Sequence, residues 1–175
     1  MADDRQIFAF SGVLREGPDG PDSLSLVDYA IGLARGEPPR RVCYVPTGVG
    51  DSAEAVDFYL SVFAGRADAG VVLAGASAGS LCWHQGGPTD SFGDQLAPFA
   101  DGLALVPFSN GVHDDFADQP RRRSYRDLIA SGALAGGHAT EDGVGLHYVG
   151  AALHEAVSVV AGKRAWRVEP DGAGG

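Results

Sequence analysis

The stretch Val71-Val72-Leu73-Ala74-Gly75-Ala76-Ser77-Ala78-Gly79-Ser80 constrains the fold more than any other. Four consecutive apolar residues, 71–74, read as a strand buried on both faces, as in a parallel sheet. Residues 75–79 read as a turn, and residues 80–85 start a helix. A strand entering a helix through G-x-S-x-G is the setting of a nucleophile elbow. The turn is strained, small residues let the backbones approach, and the hydroxyl of Ser77 is lifted above the C-terminal edge of the sheet. The N–H of Ala78, at the helix start, then points where an oxyanion forms. The competing reading is a glycine-rich turn with an incidental serine, in a chain that holds 26 glycines in 175 residues.

The rhythm upstream fits such a sheet. Residues 6–10 form a first strand, ended by Ser11-Gly12, and residues 17–22 a loop. Ser23 caps a helix over 24–35 whose apolar face is Leu24, Val27, Ala30, Ile31 and Ala34. A second strand spans 41–45. A second helix, capped by Asp51 or Ser52, runs to about Phe63 and buries Val56, Tyr59, Leu60 and Phe63. The β-α-β-α-β-α order predicts an α/β fold with a parallel sheet and right-handed crossovers. Beyond Gly86 the pattern changes. Residues 103–107 suggest a strand and 120–131 a helix. Residues 144–149, 157–161 and 165–169 suggest strands with short turns, a C-terminal meander. The chain reads as a single hydrolytic domain over 1–169 with a flexible tail, 170–175.

Composition excludes several classes of function. The formal charge of −10 argues against nucleic acid and anionic membrane as partners. The clustered basic run is Arg121-Arg122-Arg123, read as a solvated helix start for at least two of the three. Two cysteines make neither a disulfide framework nor a four-thiolate zinc site. Cys43 and Cys82 are expected to be reduced core residues. The acidic start Met-Ala-Asp-Asp-Arg has no apolar h-region, and no window holds about 18 apolar residues. The expected compartment is the cytoplasm.

A serine nucleophile needs a base, and five histidines compete. His84 follows Ser77 by seven residues on the elbow's helix and is expected to point away. His138 lies just before the acidic turn, and His147 and His154 fall in strands or turns near the end. His113 follows an apolar run and a Ser109-Asn110-Gly111 turn, which puts it on a loop at a strand end, where catalytic residues collect. Spacing alone serves equally well for a solvated loop histidine paired with Asp114 or Asp115. For the orienting carboxylate two sites compete. Asp90 gives the order Ser…Asp…His of α/β-hydrolases, and the turn Glu141-Asp142-Gly143 gives Ser…His…acid. Residue chemistry does not choose between them.

The run Gly75-Ala76-Ser77-Ala78-Gly79-Ser80-Leu81-Cys82-Trp83, followed by Thr89-Asp90-Ser91-Phe92-Gly93, resembles the S51 serine peptidases, which include dipeptidase E and cyanophycinase. The similarity continues through residues 103–108, His113-Asp114, residues 121–129, Asp142-Gly143 and Leu146-His147-Tyr148. The resemblance implies a three-layer sandwich of the class I glutamine amidotransferase-like, flavodoxin-like type. It also implies a Ser-His-Asp/Glu triad, with Ser77 as nucleophile and His113 as base. The acid position falls on Asp142, with Glu141 adjacent. Arg121 matches the arginine that grips the substrate's aspartyl carboxylate, and Asp90 a separate aspartate of the motif. No cofactor and no metal are implied.

One departure stands out. S51 members carry a further βα unit with a Gly-Gly-Gly-Asn turn before the elbow strand, and that turn supplies a second oxyanion donor. Here seven residues, 64–70, separate the second helix from the elbow strand, too few for such a unit. A lost strand exposes an edge, so a homodimer is an expectation. The first reading is therefore a serine peptidase acting on short peptides, Asp-X dipeptides in particular. The alternatives are a catalytically impaired binding or structural domain, and a small α/β-hydrolase-type esterase using Asp90.

Overall fold

The computed structural model describes residues 6–11, 16–17, 20–21, 24–33, 53–54, 73–93 and 95–170. The expected strand at 41–45, most of the expected second helix, Ser23, Cys43, the linker 64–70 and the end of the tail lie outside the described residues.

Strand β1 (Gln6–Phe10) organises the core. Its alternation sends Ile7 to one face and Phe8 and Phe10 to the other. Phe8 and Phe10 pack under helix α1 (Leu24–Leu33), against Leu26 and Ala30. Ile7 joins Val106, Leu146 and Tyr148, with Trp83 packed against them. Both faces of β1 are thus covered, which is why the strand reads as an unbroken apolar run. A two-residue pair, β2 (Glu16–Gly17) with β3 (Gly20–Pro21), interrupts the expected loop.

The elbow strand β4 (Leu73–Ala76) pairs parallel with β1 and leads through Ser77 into helix α2 (Ala78–Trp83). Two short strands, β5 (Gly87–Thr89) and β6 (Ala97–Phe99), pair antiparallel. Strand β7 (Ser109–Val112), helix α3 (Arg121–Ala130) and strand β8 (Gly137–Thr140) form a β-α-β unit with β7 and β8 parallel. Tyr125, Ile129, Leu134 and Ala139 make its core. Strands β9 (Val144–Val149), β10 (Ala152–Ser158) and β11 (Ala165–Val168) complete the chain. The main sheet has the order β10-β9-β1-β4 and the second β11-β8-β7.

The architecture is therefore mixed α/β, built from several small mixed sheets. The expectation of a parallel sheet holds for β1–β4 and β7–β8, while β9, β10 and β11 run antiparallel to their neighbours. The expected three-strand meander stops at β10. Strand β11 leaves the outer edge of β10 and crosses to the free edge of β8, where the Glu141 N–H also donates to Arg164 O at 3.2 Å. The expected strand at 103–107 is a loop. Its backbone N–H groups cap the end of α2: Leu103 donates to Cys82 O at 2.8 Å, Ala104 to His84 O at 3.0 Å and Val106 to Trp83 O at 2.9 Å. With those bonds made to helix carbonyls, no ladder forms there. Cys82, expected in the core, is exposed on α2 beside the buried Ser80 and Leu81.

Candidate active site

Ser77 sits at the top of β4 with φ 53° and ψ −120°. A non-glycine residue in that region is strained by roughly 1–3 kcal/mol and persists where its surroundings hold it. Its N–H donates to Phe10 O at 3.0 Å, and its carbonyl accepts from the N–H of Ser80 at 2.9 Å. The turn needs Gly75, where a Cβ would stand 2.2 Å from the carbonyl oxygen of Gly79. At the second motif glycine, Gly79, a Cβ would meet open space, so the close approach is on the strand side alone.

His113 follows β7 with φ 56°. Among the described residues three non-glycine positions have positive φ, and Ser77 and His113 are two of them. The Nε2 of His113 lies 2.8 Å from Ser77 Oγ, and its Nδ1 lies 2.5 Å from Asp142 Oδ1. The carboxylate accepts only, so Nδ1–H is the donor and Nε2 keeps a lone pair for the serine proton. Asp142 stands in the turn between β8 and β9, followed by Gly143 at φ +84°, a conformation glycine adopts without cost.

Ser11 ties these three elements together. Its N–H donates to Val144 O at 3.0 Å and its carbonyl accepts from Gly143 N–H at 2.9 Å, which fixes the acid's turn. Its hydroxyl is 2.6 Å from Thr140 Oγ1 and 3.5 Å from the N–H of His113. A further brace runs across α2, β7 and β8. Ser80 Oγ donates to Asn110 Oδ1 at 2.6 Å, and Asn110 Nδ2 donates to His138 O at 2.7 Å. Asp115 accepts from the N–H of Asp142 at 2.9 Å and pairs with Lys163. Sequence spacing carries no signal for Ser11, Asn110 or Asp115, because their partners are distant in the chain.

The other candidates fall elsewhere. Glu141 faces Arg122 Nη2 at 2.9 Å and the N–H of Arg164 at 2.9 Å, not His113. Asp90 accepts from Arg121 Nη2 at 2.8 Å and from Gln119 Nε2 at 3.0 Å. The Gln119 bond, together with the charge of Arg121, holds the Asp90 carboxyl below its usual range. Arg121 is buried, and its Nε has no partner among the described residues. Of the basic run Arg122 and Arg123 are exposed, as expected for two of the three; Arg123 is 86% exposed, and Arg122 also bridges Asp114 and Glu141. An open cleft of about 630 Å³ is lined by Asp114, Phe116, Gln119, Arg121, Arg122 and Glu141 among others, including the chain neighbours of His113 and Asp142 but not those two residues themselves.

His84 closes α2 fully buried, its Nδ1 2.8 Å from Ser80 O and its Nε2 3.1 Å from Tyr148 Oη. The Ser80 carbonyl takes Nδ1–H, so Tyr148 donates to Nε2. His138 Nδ1 stands 3.2 Å from the same hydroxyl. These two histidines brace the elbow from beneath and do not reach Ser77.

The uncharacterized peptidase YgaJ of Bacillus subtilis (strain 168) is 29% identical over 201 residues, covering 85% of this chain and 86% of the relative. An alignment of that length exceeds the 175 residues present here, so the relative carries residues that this chain lacks. No solved structure matches the chain. The profile of peptidase family S51 matches residues 57–156, a span that includes the elbow, His113 and the acidic turn and more than half of the sequence: the chain belongs to peptidase family S51.

Proposed function

We propose that this chain is a serine peptidase that hydrolyses short peptides through an acyl-enzyme. The observation that carries the reading is the continuous hydrogen-bonded chain Ser77 Oγ–His113 Nε2, His113 Nδ1–Asp142 Oδ1, built on two residues of strained backbone. In this reading Ser77 attacks the scissile carbonyl and His113 takes its proton. The N–H of Ala78, in a first helical turn that lacks intrahelical acceptors, bonds the oxyanion. His113 then protonates the leaving amine, and water, activated by the same imidazole, releases the acid. Asp142 holds the imidazole in the tautomer that presents a lone pair to the serine.

Arg121 and Asp90 act as one substrate-binding unit at the cleft. Gln119 holds Asp90, Asp90 orients the guanidinium, and the remaining N–H donors of Arg121 take a substrate carboxylate, as a planar fork does better than a point charge. An acidic side chain beside the scissile bond is therefore the preferred substrate feature. The domain as a whole is taken as the class I glutamine amidotransferase-like sandwich that S51 membership implies.

A second reading has one observation behind it. The relative is longer than this chain across the shared region, in keeping with a missing βα unit and its oxyanion donor. Losing one such donor costs about 10²–10³ in rate, so the active reading predicts a slow enzyme. A fluorophosphonate probe separates the two. Covalent labelling that maps to Ser77 and vanishes in His113→Ala is the expected result. A folded chain that takes no label is a binding domain.

A further inference from the structure

On the face of the main sheet covered by α1, three donor side chains converge. They are His147 of β9 and His154 and Glu155 of β10, with one donor atom from each within 4.8 Å of the others. None belongs to the serine site. Glu155 pairs directly across from His147 in the antiparallel ladder, so both point to one face. On a regular strand His154 would face the opposite way. The register shifts between Leu153 and Glu155, and the bulge leaves His154 as the extra residue. Its ring accordingly stands edge-on to that of His147, centroids 5.1 Å apart.

The hydrogen bonds around His147 fix which nitrogen is available. Gln6 Nε2 donates to Leu33 O at 3.1 Å, which turns the amide oxygen toward His147 Nε2 at 2.9 Å. An oxygen there makes Nε2 the protonated nitrogen and leaves the lone pair on Nδ1. That lone pair faces Glu155 Oε1 at 3.5 Å and Tyr29 Oη at 3.2 Å. Tyr29 gives its single proton to Glu155. An imidazole nitrogen and a carboxylate oxygen thus face each other beside the Tyr29 hydroxyl. Ligands at ~2.0–2.2 Å from one tetrahedral ion stand roughly 3.4 Å apart, close to the 3.5 Å between His147 Nδ1 and Glu155 Oε1. An outer carbonyl on the remote ring N–H is also the usual support of a metal-binding histidine.

The geometry points to a second site, in which His147 Nδ1, His154 and Glu155 bind one divalent zinc-like cation. Two imidazoles and one carboxylate favour Zn²⁺ and Co²⁺ over Mg²⁺ and Ca²⁺, which take oxygen ligands. Tyr29 serves as the outer partner of Glu155, and exposed His154 closes onto the ion by rotation of its side chain. The test titrates the full chain with Co²⁺, followed by visible absorption, and with Zn²⁺ by calorimetry. One equivalent should bind per chain, with Zn²⁺ displacing Co²⁺. His154→Ala and Glu155→Gln should each weaken binding at least tenfold, a loss of the size that supporting residues alone produce. His113→Ala should bind as wild type does. Absent binding in the wild type, unchanged binding in His154→Ala, or loss of binding in His113→Ala would each overturn the proposal; the last would put the ion at the serine site.

Discussion

His113 and Asp142 are 29 residues apart in sequence and 2.5 Å apart in space, and the carboxylate's identity decides the chemistry. Asp142→Asn keeps the shape and reverses the donor at Nδ1, stabilising the wrong tautomer. The analogous change in a trypsin-type triad costs about 10⁴ in rate, and a loss of that order is expected here. Asp90→Asn should leave kcat within several-fold and instead shift the ratio of Asp-X to Asn-X turnover, because it touches the Arg121 guanidinium. Steady-state kinetics on matched dipeptides reads both effects, and the reverse ranking would transfer the acid's role to Asp90. The sequence already offered Ser77, His113 and the acidic turn as candidates. The choice among Asp142, Glu141 and Asp90 was not legible from spacing. It depends on Arg122 and Arg164 claiming Glu141 and on Arg121 claiming Asp90, contacts that only the folded chain makes.

At the level of elements, the G-x-S-x-G turn is asymmetric. Gly75 lies against Gly79 O and Trp83, whereas Gly79 has open space around it and sits inside α2. Gly75→Ala should therefore separate β4 from α2 and yield insoluble or inactive protein. Gly79→Ala should hold or raise the melting temperature, since alanine is better than glycine in a helix by up to about 1 kcal/mol. Thermal unfolding of the two variants checks this; equal loss in both would mean that the motif's glycines act through something other than steric approach. Strands β1 and β9 and helix α3 were readable because each carries a strong periodic or continuous apolar signal. Strand β8, Gly-His-Ala-Thr, was not, having a single apolar side chain among polar residues. Its polar groups are satisfied across the fold, Thr140 by Ser11 and the His138 carbonyl by Asn110, and long-range partners of that kind leave no mark in a local pattern.

Of the three buried histidines, His84 and His138 set the molecule's response to acid. Burial lowers the pKa of His84 from 6.5 to about 4 and lowers that of His138 as well. Between those values the unfolded chain binds a proton that the folded chain excludes. Stability is therefore full above about pH 6.5 and falls as pH drops toward 4, by on the order of 3 kcal/mol from His84 alone. Urea unfolding at pH 7.5 and pH 4.5 should show the loss, and His84→Gln should flatten part of the slope. The arrangement of the sheets has a different consequence. Ser77 is carried by the main sheet and His113 by the second, with Asp142 in the turn that passes from β8 to β9, and Ser11 bridges the boundary through its hydroxyl and backbone. The nucleophile and the base therefore belong to separate hydrogen-bonded ladders. A small parting of the two ladders ends proton transfer while each keeps its own core. Heating should silence turnover several degrees below the temperature at which circular dichroism is lost, and cooling before unfolding should restore it in full. On the proposed mechanism, turnover becomes a gauge of how tightly the two ladders are latched, and it registers slackening before any strand has come apart.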